Sequence, residues 1–75
     1  MSKEKQPSLV KLGENIREYR EAKGISQEDL ALEAGLDRTY VGGVERGERN
    51  PTVLSLLKLA RPLGVDLRSF VSGVE

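Results

Sequence analysis

The sequence predicts an all-α fold of five helices, in which the second and third form a helix-turn-helix. Two observations support this prediction. Apolar residues recur at intervals of three and four along most of the chain, and no segment shows the alternation of a β-strand. Residues that favour helix starts, such as Ser26 and Asp37, precede the amphipathic stretches, and glycines such as Gly35 follow them.

The first helix is expected to begin at Leu9, after an N-terminal arm. Residues 1–8 combine charged and polar residues with a proline and have no apolar face, so we expect a flexible arm. Lys23 and Gly24 supply the cation and the permissive glycine of a helix C-terminus. The apolar positions that follow the helical period are Leu9, Leu12, Ile16 and Tyr19. Residues 9–75 are therefore predicted to form one domain.

The second helix is predicted to begin at a serine cap and to end at a glycine. The Ser26 hydroxyl can accept from the free amides of the first turn, and Asp29 supplies the reciprocal acidic partner. Gly35 tolerates the left-handed conformation of a C-terminal cap. Asp37 then caps a third helix that runs to about Arg46. The buried side of the second helix is expected to consist of Leu30, Ala31 and Ala34.

The third helix has two different faces. Val41, Val44 and the aliphatic stem of Glu45 share one face, which predicts that this side packs on the core. The other face is polar or bare and carries Arg38, Thr39, Gly42, Gly43 and Arg46. Two short helices joined by a tight turn, the second with a polar outer face, are typical of an arrangement that lets a helix enter the DNA major groove.

A broad apolar face marks the fourth helix, which Thr52 caps. Such a face requires neighbours on two sides; it consists of Val53, Leu56, Leu57, Leu59, Ala60 and Leu63. Pro62 lies inside this helix and removes one hydrogen bond, so we expect a kink or an early end there. Asp66 then caps a short fifth helix whose apolar residues are Leu67, Phe70, Val71 and, further on, Val74.

Composition restricts the classes of function. A chain of 75 residues without cysteine or histidine predicts one small domain with no disulfide, no thiolate or imidazole metal site and no imidazole base. No nucleophile has an evident base, so we expect no enzymatic activity, and we also expect no cofactor and no small-molecule ligand. Neither an apolar run of about 18 residues nor a signal peptide is visible, so we expect a cytoplasmic protein without membrane contact.

Charge is balanced overall but unevenly placed. Twelve basic and twelve acidic side chains give a formal net charge of zero, which argues against nucleic-acid binding through bulk electrostatics. Arg38, Arg46 and Arg49, however, flank the outer face of the third helix and the loop after it. We therefore expect a narrow basic strip on an otherwise neutral surface, and a need for two copies to bind DNA tightly.

The run from Leu12 to Gly73 resembles the helix-turn-helix family of phage repressors and Cro proteins, and most closely the controller proteins of restriction-modification operons. The resemblance is carried by Arg20–Gly24, Ser26-Gln27, Ala34-Gly35-Leu36, Asp37–Pro51 and Leu63-Gly64-Val65. It implies a compact repressor-like DNA-binding domain. It also implies a sequence-specific transcriptional regulator of double-stranded DNA, which binds a palindromic operator as a homodimer with the third helix in the major groove.

The same resemblance implies a set of DNA-contacting residues, namely Gln27, Arg38, Thr39, Tyr40, Gly43, Arg46, Arg49 and Asn50. Gln27 is expected at a phosphate, and Arg38 and Thr39 at base edges, where an arginine can donate twice to guanine. Tyr40 and the residues from Arg46 onward are expected at the DNA backbone or the flanking groove. Each also has a simpler interpretation, in which Gln27 is a good helix former, Tyr40 covers apolar surface and the arginines are solvated.

Gly42 and Gly43 depart from the pattern of the older repressors, in which longer polar side chains at these positions often read the middle of the half-site. Two glycines in a helix cost roughly 1 kcal/mol each relative to alanine. A close approach between the helix backbone and DNA would compensate for that cost, so Gly43 is included among the expected contacts.

Two further sets of residues are expected to be structural. Glu45 faces inward, and the family pairs it with an arginine at the position of Arg20, without which a buried carboxylate would be costly. The apolar side chains of a short fifth helix cannot all be buried within one copy, so we expect part of this surface to meet its copy across a twofold axis. The expected interface residues are Val65, Leu67, Phe70 and Val71, with the core of a single copy as the alternative place for the Phe70 ring.

A second function is compatible with the same fold. A protein-interaction module, such as an antitoxin or a bridging factor, would use Phe70, Val71 and the fourth helix to hold a different protein. The arginines around the third helix favour the DNA-binding regulator over this alternative.

Overall fold

The computed structural model describes residues 5–75 and contains five helices. They are α1 (Pro7–Lys23), α2 (Gln27–Ala34), α3 (Arg38–Glu45), α4 (Val53–Leu63) and α5 (Leu67–Val71). No strand occurs in this part of the chain, and the predicted all-α class is confirmed. Residues 1–4 of the expected arm lie outside the described residues.

The first helix begins earlier than the sequence predicted. Pro7 is its first residue, so Pro7 and Ser8 belong to the helix and the boundary expected at Leu9 is wrong. Proline suits this position because its fixed φ is helical and its missing N–H would have no partner in the first turn. The Gln6 carbonyl accepts from the amides of Leu9 and Val10 at 3.0 Å each, which fixes the start of the helix.

Side-chain caps begin three of the later helices. The hydroxyls of Ser26 and Thr52 each accept from the backbone amide three residues on at 3.0 Å, and the Asp66 carboxylate does so at 3.3 Å. Asp37 occupies the predicted cap position of α3, but its side chain makes no cap hydrogen bond. Three of the four cap bonds expected from the sequence are therefore present.

The end of α4 follows from Pro62 and Gly64. The helix continues through Pro62, ends at Leu63 and is capped by Gly64 in the left-handed conformation at φ 70°. Because the proline lies in the last turn, only one hydrogen bond of the helix is lost. The early end expected at Pro62 is therefore not seen, since the helix passes through the proline and ends at the glycine cap. Within residues 5–75, no helix combines the length and the apolar character needed to cross a membrane.

One core joins all five helices. Its largest fully buried side chains are Ile16 on α1, Leu30 on α2, Val41 and Val44 on α3, Leu59 on α4 and Phe70 on α5. Both valines of α3 were predicted to face inward. With this side of α3 held by the core, Arg38 and Thr39 in the first turn of the helix stay at the surface.

A close approach of two backbones fixes α1 against α3. A Cβ atom at Gly13 would lie 2.5 Å from the carbonyl oxygen of Glu45, so no other residue fits between the two helices. Gly47, at φ 76°, follows α3, and a Cβ there would lie 2.8 Å from the Cα of Val10. The C-terminal end of α3 therefore rests directly on the α1 backbone, an arrangement that the sequence pattern did not indicate.

Candidate nucleic-acid interface

A buried polar cluster ties together α1, α2 and α3. The Arg20 guanidinium donates to both carboxylate oxygens of Glu45, from Nε to Oε2 at 2.7 Å and from Nη2 to Oε1 at 3.1 Å. Gln27 Nε2 donates to the same Oε1 at 2.9 Å. The Glu45 side chain is only 2% exposed, and its charge is therefore met by two donor side chains from two other helices.

The cluster stiffens the helix-turn-helix. Arg20 also donates from Nη1 to the carbonyl of Ile25 at 2.8 Å, which holds the chain just before α2. The hydrogen bond to the Glu45 carboxylate raises the pKa of Arg20 above its ordinary value, so the guanidinium stays charged. The structure thus places the expected Arg20–Glu45 pair inside the protein. Gln27 also donates to Glu45, a contact that the sequence did not predict.

The hydrogen bond from Gln27 to Glu45 bears on the expected contact between Gln27 and a DNA phosphate. In the free protein the Gln27 amide nitrogen is engaged with Glu45 inside the cluster. An amide nitrogen has two hydrogens, so one remains for a further acceptor. The contact with DNA stays a prediction, whereas the hydrogen bond to Glu45 is a structural role that explains why an amide is useful here.

The first turn of α3 presents its polar side chains to solvent. Arg38 and Thr39 are the first two residues of the helix, and both are exposed. Among residues 5–75, no side-chain hydrogen bond or ion pair engages either of them. They are therefore available to an external acceptor at the N-terminal end of a helix that is fixed from behind.

Gly42 and Gly43 do not form the bare outer surface that the sequence predicted. Both are buried. A Cβ at Gly42 would lie 3.1 Å from Arg46 Nη1 and 3.3 Å from Gln27 Oε1, and one at Gly43 would lie 2.7 Å from Arg49 Cγ. The missing side chains leave room for two arginines to lie along α3. The glycines thus have a packing reason in the free protein, and a DNA contact of Gly43 remains a prediction.

Tyr40 serves as a support for Arg49. Its ring is half-buried and packs against the core, and the guanidinium carbon of Arg49 lies 6.0 Å from the ring centre. A cation at this distance over an aromatic ring is attracted by the ring's electron density. Tyr40 therefore covers apolar surface, which is the simpler interpretation of this residue, and it also helps to place Arg49 beside α3. Asn50, which follows, is exposed.

Arg46 is held at the C-terminal end of α3 by an acidic neighbour. Its Nε donates to Glu48 Oε1 at 3.0 Å, while Lys5 Nζ lies 3.5 Å from the other carboxylate oxygen. The hydrogen bond from Arg46, together with the charge of Lys5, keeps the pKa of Glu48 below its ordinary value. The expected basic strip is thus partly neutralised from within by Glu48, which the sequence analysis did not single out.

The residues expected at a dimer interface divide into two groups. Phe70 is 0% exposed and its ring lies 6.3 Å from that of Tyr19, so it belongs to the core of a single copy. Its assignment to an interface is therefore wrong, because no part of the ring reaches the surface. Val71 is 46% exposed, and Val65 and Leu67 are half-buried, so these three side chains remain accessible.

Asn15, a residue that the sequence analysis missed, anchors α5. Its buried Nδ2 donates to the carbonyls of Phe70 and Ser72, both at 2.8 Å. The last carbonyls of a helix lack partners within it, and a side-chain amide from α1 supplies one here. The available signal was a short polar residue in a helix interior next to Ile16, where asparagine is unfavourable unless its side chain has a specific partner.

Comparison with known proteins identifies the family. A family model described as helix-turn-helix matches residues 16–70. The chain is 50% identical over 56 residues to the control protein C.SmaI of Serratia marcescens, covering 75% of this chain and 67% of that protein.

Solved structures agree in fold. The restriction-modification controller protein C.AhdI of Aeromonas hydrophila is 54% identical and superposes with a TM-score of 0.85, covering 87% of this chain and 98% of that one. The controller protein C.Esp1396I, solved as a tetramer in complex with its natural 35 base-pair operator, is 38% identical with a TM-score of 0.82, covering 93% of this chain and 92% of that one. This chain therefore belongs to the helix-turn-helix family of DNA-binding transcriptional regulators.

Proposed function

We propose that this protein is a controller-type regulator that binds a palindromic operator as a homodimer, with α3 in the major groove. One observation carries the proposal. Arg38 and Thr39 stand exposed on the first turn of α3, while the buried Arg20–Glu45–Gln27 cluster and the core hold the rest of that helix rigidly. Rigid support of the reading side chains is what a recognition helix needs.

The chemistry of the exposed face suits DNA. The Arg38 guanidinium can donate to O6 and N7 of one guanine, and Thr39 offers a hydroxyl and a methyl group to a neighbouring base. Arg46 and Arg49 lie beside the same helix, where they can meet backbone phosphates, and Asn50 and Tyr40 flank them. Phosphate contacts of this kind position a protein on DNA, and the first-turn side chains supply the sequence preference.

Two copies are needed because a single recognition helix with two base-reading side chains gives too little affinity. Apolar surface supports an interface between copies. Val71 is exposed on α5, and Val53 and Leu54 at the start of α4 are 64% and 58% exposed. The broad apolar face of α4 is thus only partly covered by its own chain, and a twofold contact would bury the remainder.

Selection from random-sequence DNA tests the reading function. The proposal predicts one enriched palindrome with half-sites centred about 10 to 10.5 base pairs apart, which corresponds to recognition helices about 34 to 36 Å apart. A protein-interaction module would enrich no sequence at all. That result would reject the regulator in favour of the alternative.

The Val71→Glu variant tests the assembly. A charged residue in an apolar twofold contact should give a folded monomer with much weaker operator binding, measured by sedimentation and gel shift. Arg68→Gln is a matched control, since it changes the net charge by the same amount at a position of α5 that is also exposed, and it removes no apolar contact. Wild-type protein that stays monomeric at high micromolar concentration would contradict the homodimer.

A further inference from the structure

Glu48 stands between two cations at the edge of the α3 surface. Its two carboxylate oxygens face Arg46 Nε at 3.0 Å and Lys5 Nζ at 3.5 Å. All three side chains are about half exposed, so each is also within reach of an external ligand. The arrangement places an anion where the proposed function requires the protein to meet the phosphates of DNA.

The backbone keeps Glu48 in this position. The Glu48 amide donates to the carbonyl of Gly43 at 2.8 Å, and the Gly47 amide donates to the carbonyl of Val44 at 3.1 Å. Gly47, with a positive φ, turns the chain so that residue 48 folds back onto the end of α3. The backbone of Glu48 is thus attached to the end of the recognition helix, which keeps its carboxylate within reach of Arg46.

The hydrogen bond to Glu48 occupies Nε of Arg46 and leaves the other N–H groups of the guanidinium free. A phosphate that accepts from those groups lies beside the Glu48 carboxylate, and the two negative charges repel each other. The three side chains together carry one net positive charge, whereas Lys5 and Arg46 without Glu48 would carry two. The electrostatic attraction of this edge for DNA is therefore reduced by an internal anion.

We propose that Glu48 is an affinity-setting residue, an internal substitute for phosphate that holds Arg46 and Lys5 in the free protein and competes with DNA for them. The inference rests on the proposed DNA binding and assigns a role to a residue outside the expected set of DNA contacts. Because phosphate contacts supply nearly all of the non-specific binding of such proteins, Glu48 limits attachment to DNA of any sequence.

The Glu48→Gln variant tests this inference. Salt-dependent fluorescence anisotropy on a random-sequence duplex should show binding about two- to fivefold tighter per bound copy, the size expected for an exposed charge pair. The slope of log K against log salt should steepen by about 0.9 per copy, as for one more neutralised phosphate. The melting temperature should not change, because exposed ion pairs add little to stability.

The Glu18→Gln variant is the matched control. It changes the net charge by the same amount, but Glu18 lines the groove between α1 and α5. If it tightens binding as much as Glu48→Gln does, the effect is one of overall charge and the inference is wrong.

The Arg46→Ala background shows whether Glu48 acts through its partner. The gain from Glu48→Gln should shrink there to the part that Lys5 contributes, and a gain of undiminished size would overturn the inference. Wild-type protein that binds DNA no differently from Glu48→Gln would reject this inference alone. Wild-type protein that binds no DNA at all would reject the proposed function together with it.

Discussion

At the scale of single residues, the Glu45 carboxylate is the most consequential side chain. It is almost fully buried and accepts three hydrogen bonds from Arg20 and Gln27. Its charge is tolerable only because these donors surround it, and the same holds for the Arg20 guanidinium, which is buried with it. Glu45 therefore determines whether α3 keeps its place against α1 and α2.

The Glu45→Ala variant is predicted to lose about 3 to 5 kcal/mol of unfolding free energy, because it leaves a buried guanidinium without its partner. Chemical denaturation followed by circular dichroism measures the loss. Glu21→Ala serves as control: Glu21 is an exposed partner of the same arginine at 3.9 Å, and its removal should cost less than about 1 kcal/mol. Equal losses for both variants would contradict the role assigned to Glu45.

Arg38 and Arg49 are predicted to contribute to DNA binding in different ways. Arg38→Ala should cost about 1 to 3 kcal/mol on the selected operator and relax the preference at one base pair. Arg49→Ala should weaken binding to all sequences and lower the salt slope by about one. Competition binding on operator and random duplexes distinguishes the two effects. An unchanged sequence preference for Arg38→Ala would remove that residue from the reading set.

At the scale of the elements, α5 depends on α1. The helix is short, and Asn15 satisfies two carbonyls at its end. Asn15→Ala should therefore cost about 1 to 3 kcal/mol and speed hydrogen exchange in α5. Asn50→Ala, at an exposed position, should leave stability within about 0.5 kcal/mol of wild type. Exchange in α5 that is unaffected by Asn15→Ala would show that the helix is held by its apolar contacts alone.

The helices themselves were predictable because their signals are local. The apolar spacing and the caps at Ser26, Thr52 and Asp66 each depend on residues within one turn. The start of α1 was harder to predict, because the charged and polar residues around Pro7 are typical of a flexible arm, although proline is favourable at a first helical position.

Contacts between helices were harder to predict, because they depend on which elements meet. Gly13 is needed only where α1 crosses α3, and the donors of Asn15 matter only once α5 lies beside α1. The pair of Arg20 and Glu45 could be anticipated through the family resemblance. The burial of Phe70 could not be predicted from the sequence, because a single apolar residue on a short helix is equally compatible with a core and with an interface.

At the scale of the whole molecule, the absence of histidine from the sequence has a consequence for pH. No side chain has an ordinary pKa between about pH 6 and 8. The Arg46 and Arg68 guanidiniums, which hydrogen-bond Glu48 and Asp66, hold the pKa of each carboxyl below its ordinary value. Their contribution to stability is therefore complete above the ordinary carboxyl pKa of about 4 and is lost as the pH falls through the lowered values.

The melting temperature should thus be constant from about pH 8 to 6, and any contribution of Glu48 and Asp66 to a fall should begin only below about pH 4 and be small, because both ion pairs are exposed. Arg20 does not alter this, because its raised pKa keeps it charged throughout. Thermal melts across this range measure the profile. A transition centred near pH 6 to 7 would contradict it, since none of the side chains of this protein ordinarily titrates there.

The central claim is that α3 reads DNA in the major groove from two symmetric copies, and methylation interference at guanine N7 tests it most directly. On the selected operator, methylating one guanine in each half-site should block the wild-type protein, with the two guanines at symmetry-related positions of half-sites centred about 10 to 10.5 base pairs apart. The Arg38→Ala protein should bind equally well whether or not these guanines are methylated. An identical interference pattern for both proteins, or no interference from methylation at any guanine N7, would contradict the account.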